Sequence, residues 1–249
     1  MDDSEVIETV KEYYPSGEEQ SILLKYVDKQ LTRSFYKSGG IEREEYYIII
    51  DPAIIRWRKR ISLHRLDKPA VIKWYEDGTL RAKKWYIQGN LHRENGPAIK
   101  KWHKNGNIYK EVWYKEGLKH RKYAPAVIQY DTRERLIKKV WYKEGSKHRK
   151  HGYAYKKWEY AAYRHDQSST MIKKWYKHGD VHRKNGPAYK EYDDNSIPVK
   201  ICYYYEGELH REDGPAIIDK SLYEDKEEWY HHGEEFNPHA DIMTKKALS

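Results

Sequence analysis

The stretch Trp85–Ala98, WYIQGNLHRENGPA, returns as Trp175–Ala188, WYKHGDVHRKNGPA, and further copies open at Trp113, Trp141 and Tyr203. Tandem copies of one short unit restrict the fold strongly. Each unit is too small to bury a core by itself and must stack on its neighbours. The shared frame is aromatic–Tyr–x–x–Gly. Its first aromatic falls at 13, 35, 57, 85, 113, 141, 175, 203 and 229, giving intervals of 22, 22, 28, 28, 28, 34, 28 and 26 residues. Trp57 opens a degraded copy, with Arg58 and Ile61 in the Tyr and Gly places, yet His64-Arg65 follows it. The frame divides the chain into a lead-in (1–12), two short units (13–56), longer units (57–236) and a tail (237–249). The longer units add a segment such as His92–Pro97, and the longest carries a further extension around Tyr160–Thr170.

Turn signals predict the structure of one unit. Ala98–Trp102 reads as a strand, residues 103–107 as a turn, Ile108–Tyr114 as a second strand and Lys115–Gly117 as its closure. Asn-Gly between aromatic and β-branched runs is a hairpin signal. Gly89, Gly117, Gly145, Gly179, Gly207 and Gly233 supply positive φ at the second turn. The Gly-Pro pairs 96–97, 186–187 and 214–215 open strands, where a missing N–H is tolerated. Counting from the alanine of each first strand, the fourth place reads Trp74, Trp102, Tyr130, Trp158 and Tyr192, while the third is mainly charged. Period-2 alternation then predicts a core face of alanines and aromatics. The lysine pairs 83–84, 138–139 and 173–174 are expected in solvent. The fold class is all-β: an elongated antiparallel β-hairpin array, a single twisted sheet or solenoid, with little helix.

Composition supports a folded chain in spite of its charge. Charged residues make up 35%, but 25 Tyr and 9 Trp in periodic positions provide apolar area that disordered chains lack. Residues 57–190 hold 35 Lys/Arg against 12 Asp/Glu, whereas residues 1–56 hold 7 against 12 and residues 191–249 hold 6 against 15. A basic middle therefore lies between acidic ends. Cys202 is the one cysteine, so no intrachain disulfide forms, which fits a reducing compartment. The opening MDDSEVIE has no apolar h-region, and Tyr46–Ile50 is too short to span a membrane. The expectation is an intracellular, cytoplasmic protein without a transmembrane segment.

The tandem W-Y-x-x-G-x-x-H pattern over about residues 13–236 resembles MORN-type repeats. The H-R-x-x-G-P-A form is more similar to variant repeats of large DNA viruses and of some bacterial proteins labelled as antitoxin components. Arg93, Arg121, Arg149, Arg183 and Arg211 stand where the usual repeat has glycine. The resemblance implies an elongated antiparallel β-structure used for protein scaffolding, self-association and sometimes acidic-lipid binding, and implies no enzyme. If the chain is viral, it is expected in host cytoplasm or virion.

The main candidate site is a ladder of His-Arg pairs at 64–65, 92–93, 120–121, 148–149, 182–183 and 210–211. Arg65, Arg93, Arg121, Arg149, Arg183 and Arg211, with Lys83, Lys84, Lys138, Lys139, Lys173 and Lys174, are the candidates for binding an anion or a partner. Arginine suits phosphate and carboxylate because its fork donates two parallel hydrogen bonds. The structural alternative has the histidine bonding the turn backbone while the arginine stacks on the next unit's aromatic.

No metal site or cofactor is expected. Ladder histidines lie about 10 Å apart, and His231-His232 with His239, Glu234 and Glu235 reads as solvated charge. No catalytic residue is assigned: Cys202 belongs on a strand, and Ser168-Ser169 with His165 and Asp166 belongs to a polar hairpin tip. The expected function is a non-enzymatic scaffold binding a protein partner or itself. The alternative is a polyanion binder that takes nucleic acid or acidic phospholipid through the basic middle.

Overall fold

The computed structural model describes residues 6–26, 28–49, 61–160, 169–220 and 225–238. Two compact units emerge, Met1–Arg121 with Ala126–Arg135, and Lys122–Pro125 with Leu136–Ser249. In the first, β1 (Glu8–Tyr13), β2 (Glu19–Lys25), β3 (Lys29–Phe35) and β4 (Ile41–Ile49) form an antiparallel meander. The second half of β4 pairs with β5 (Ile61–Leu63) and its first half with β6 (Val71–Trp74). Next come β7 (Leu80–Lys84) and a short hairpin of β8 (Tyr86–Ile87) and β9 (Asn90–Leu91). The pattern repeats as β10 (Ile99–Trp102), β11 (Ile108–Val112), the short hairpin β12 (Tyr114–Lys115) and β13 (Leu118–Lys119), and β14 (Val127–Tyr130).

The second unit opens with β15 (Leu136–Val140) and the short hairpin β16 (Tyr142–Lys143) and β17 (Ser146–Lys147). It continues with β18 (Tyr155–Tyr160), β19 (Ser169–Lys174) and the short hairpin β20 (Tyr176–Lys177) and β21 (Asp180–Val181). Then follow β22 (Tyr189–Tyr192), β23 (Pro198–Cys202) and the short hairpin β24 (Tyr204–Tyr205) and β25 (Glu208–Leu209). β26 (Ile217–Asp219), β27 (Lys226–Glu228) and the short hairpin β28 (Tyr230–His231) and β29 (Glu234–Glu235) complete it. Long strands pair antiparallel with their successors in the order β15, β18, β19, β22, β23, β26, β27. The described residues contain no helix. The chain is an all-β antiparallel hairpin array, as its turn signals predict.

The second predicted strand is in fact broken at the tryptophan. Val112 ends β11, and the Trp113 N–H donates to the Ala126 carbonyl (2.8 Å) before the chain enters the short hairpin. Trp85 to Ala98, Trp141 to Ala154, Trp175 to Ala188 and Tyr203 to Ala216 repeat this bond at 2.8 Å. The short hairpins turn on two residues of positive φ, as at Gln88 (48°) and Gly89 (79°), which matches the right-handed twist of the flanking strands.

The core differs from the expected aromatic column. Ala70, Ala98, Ala126, Ala154, Ala188 and Ala216 are fully buried, joined by Val71, Val112, Val127, Val140 and Cys202, whereas Trp102, Trp158 and Tyr192 are half-buried. Each fully buried alanine stands where the backbone N–H of an aromatic residue earlier in the chain closes on its carbonyl, as that of Trp85 does on Ala98.

Hydrogen bonding also corrects the repeat frame. In the turn after β1, the Gly17 N–H donates to the Tyr14 carbonyl; Gly39 to Tyr36, Gly78 to Tyr75 and Gly106 to His103 do the same. Tyr13 and Phe35 therefore correspond to Trp74 and Trp102, not to Trp85. The true first counterpart of Trp85 is Tyr46, whose N–H donates to Ala70 and whose carbonyl accepts from His64. Trp57 lies outside the described residues, and Tyr46 fills the place assigned to it.

Candidate functional site

Each His-Arg pair sits where a short hairpin returns to the sheet. The His92 N–H donates to the Trp85 carbonyl (3.2 Å), so Arg93 arrives directly over the ring of its own unit, with its guanidinium carbon 4.0 Å from the Trp85 ring centre. The same stack joins Arg121 to Trp113 (3.8 Å), Arg149 to Trp141 (4.3 Å), Arg183 to Trp175 (4.4 Å) and Arg211 to Tyr203 (4.1 Å). Arg65 lies 3.8 Å from Tyr46. The expected stacking on the next unit's aromatic is thus replaced by stacking within the unit, because the hairpin reverses the chain onto its own tryptophan. One Nη1 donates to the carbonyl four residues on, from Arg93 to Pro97 (3.4 Å), Arg183 to Pro187 (3.2 Å) and Arg211 to Pro215 (3.2 Å). Burial lowers the pKa of Arg93 and of Arg121.

The histidines reach forward instead. His64 Nδ1 accepts the Gln88 N–H (3.1 Å), His92 that of Glu116 (3.1 Å), His182 that of Glu206 (3.0 Å) and His210 that of His232 (3.2 Å). His148 accepts from His178 at 3.3 Å. Each donor is the positive-φ residue of the next short hairpin. Within each compact unit the ladder thus ties consecutive short hairpins together, and its arginines cover aromatic rings.

The lysine candidates split between two faces, because successive strand residues point opposite ways. On the valine face, Lys84 lies opposite Val71 and Ile99. Burial and neighbouring cations lower its pKa. Lys138 lies opposite Lys157, which pairs with Glu159, and Lys174 lies opposite Tyr155 and Tyr189. On the tryptophan face, Lys83 opposes Ile72 and Lys100. Lys100 in turn opposes Glu111 and approaches it to 3.6 Å. Lys139 opposes Lys156, Lys156 opposes Lys173, and Lys173 opposes Lys190. All twelve candidate side chains are half-buried rather than fully solvated. Lys156 and Lys190 were not singled out by sequence. Their signal was the second place after each alanine, which shares the tryptophan face, but only strand register shows what lies across from them.

The histidines at the end of the array come together. Ligand atoms of His210, His231 and His232 lie within 4.8 Å of one another. His210 accepts a backbone N–H at Nδ1, which places its proton on Nε2 and leaves no lone pair for an ion in that tautomer. His239 lies outside the described residues, as do His165, Asp166 and Ser168. Cys202 is buried, and burial pushes its thiol up to about 11, the opposite of an activated nucleophile. Among the described residues no helix is long and apolar enough to cross a membrane. No protein-family model matches the chain, and no curated protein matches it.

Proposed function

We propose that this chain is a non-enzymatic, MORN-like β-repeat scaffold that associates with a second copy of itself through the open edge of its first unit. The observation that carries this is β1. Among the described residues it pairs with β2 alone, and every residue from Glu8 to Tyr13 is exposed. Val6 (42% exposed), Ile7 (64%), Val10 (38%) and Tyr13 (53%) line the same segment. Such an edge offers unpaired backbone donors and acceptors to another strand.

The sequence of the edge admits pairing with its own copy. An antiparallel β1–β1 pair with its two-fold axis at Thr9 sets Thr9 against Thr9, Ile7 against Lys11 and Glu8 against Val10 in both halves, so no like charges oppose each other. Glu8 meets Lys25 (2.6 Å) and Lys11 meets Glu19 (2.5 Å) within each copy, so these charges are already paired when a second strand arrives. A two-fold contact of this kind closes on itself and stops at the dimer.

Light scattering across a dilution series tests the proposal. The wild-type chain is expected to dimerise, and Thr9→Pro, which removes an N–H from the free edge and leaves the β1–β2 ladder intact, is expected to stay monomeric with unchanged circular dichroism. A wild-type chain that is monomeric at every concentration, or a Thr9→Pro dimer, would overturn it.

A further inference from the structure

On the tryptophan face of the second unit, Lys139, Lys156, Lys173 and Lys190 stand directly opposite one another on β15, β18, β19 and β22. Strand spacing places the four across roughly 15 Å. Like charges directly opposite on a sheet are destabilising. Among the described residues none of the four makes an ion pair with a carboxylate. Crowding has a physical trace: burial, then Lys173 and Lys139, lower the pKa of Lys156, and burial, then Lys190, lower that of Lys173.

Other parts of the sheet do not repeat this. The equivalent row in the first unit runs Ile72, Lys83, Lys100, Glu111, Ile128, so a carboxylate and two apolar residues interrupt it. On the valine face of the second unit two lysines are answered, Lys157 by Glu159 and Lys200 by Asp219 (2.6 Å). Aromatic rings flank the uncompensated row. The Lys156 ammonium lies 4.3 Å from the Trp158 ring centre, and that of Lys173 lies 4.5 Å from Tyr192.

We infer that this row binds the backbone of a single-stranded nucleic acid laid across the strands, with Trp158 and Tyr192 offering ring faces to its bases. Lysine supplies point charges without the bidentate geometry that reads a base edge, so the contact is independent of sequence. The face is broad and lies within a seven-strand run, whereas a duplex groove admits a helix or a two-stranded ribbon. A flexible single strand conforms to such a surface, and base–aromatic stacking with backbone neutralisation is how single strands are held without sequence preference. Base stacking would displace the two ammoniums from the ring faces toward phosphate. This site is independent of β1 and of dimerisation.

Fluorescence anisotropy with labelled oligo-dT, oligo-U, a duplex of equal length and phosphatidylserine vesicles tests the inference on the full chain. Both single strands are expected to bind in preference to duplex and vesicles, and affinity should fall with salt at a log–log slope of about −3 for four lysines. Lys156→Gln with Lys173→Gln should weaken binding about tenfold or more at ~50 mM salt and reduce the slope by about 1.4. The same pair should raise the melting temperature, since it removes repulsion. Lys83→Gln in the interrupted row should change nothing. No binding at ~50 mM salt, preference for duplex or vesicles, or an unchanged double variant would each overturn the inference.

Discussion

Arg93 has two jobs in the turn, covering Trp85 and closing on the Pro97 carbonyl, and both are lost in Arg93→Ala. The expected cost is about 1–2 kcal/mol in urea denaturation, with Arg93→Lys retaining part of it. Gly96 explains why the turn accepts no side chain: its φ is 139°, and an added Cβ would lie 2.9 Å from Arg93 Nη1. Gly96→Ala should therefore destabilise by about 1–3 kcal/mol. Gly106→Ala, also at positive φ (88°) but with nothing within 4 Å, should cost less in the same measurement. The turn residues themselves were legible in sequence, since His, Arg, Gly and Pro recur at fixed offsets. Which ring each arginine covers was not, because that depends on the hairpin folding back on its own tryptophan.

The short hairpin is the element that changes the picture of the array. Its turn amides look solvent-exposed, yet in the first unit that of Glu116 is bonded to His92. His92→Ala should speed hydrogen exchange at Glu116 while leaving the β10–β11 ladder protected. Acid should act on the same ties. A histidine that accepts at Nδ1 must be neutral there, and burial first, with neighbouring cations or histidines, lowers the pKa of His148, His182 and His210. Their contribution is present above the unfolded value of about 6.5 and is lost as pH falls from there through the lowered folded values. The denaturation midpoint is therefore expected to fall between about pH 7.5 and pH 5. His182→Asn, which keeps an acceptor without titrating in this range, should flatten that dependence. Strand existence and the positive-φ turns could be read from Gly and aromatic spacing. The match of Tyr46 to Trp85 could not, because residues 50–60 separate Tyr46-Tyr47 from His64-Arg65 and break the sequence period.

At the scale of the whole molecule, charge is the least balanced quantity. The basic middle between acidic ends was plain from composition, but composition could not show that one row lacks carboxylates while others are answered. Exposed ion pairs contribute little, so screening should relieve repulsion more than it weakens attraction. Thermal stability is accordingly expected to rise as salt increases from low ionic strength, and the rise should shrink in the Lys156→Gln, Lys173→Gln variant. Scanning calorimetry at several salt concentrations would measure both.

The forward reach of each histidine also gives the array a direction of growth. In the second unit His182 supplies an acceptor for the following hairpin, and His210 does so in turn. The hairpin after that ends at Phe236, whose N–H still closes on the Trp229 carbonyl but whose side chain accepts nothing. The series carries its own stop. A chain lengthened by duplicating Trp175–Cys202 in place should extend, because the inserted block brings both an acceptor and a donor. A block appended after Phe236 should dock only if that residue is first changed to histidine.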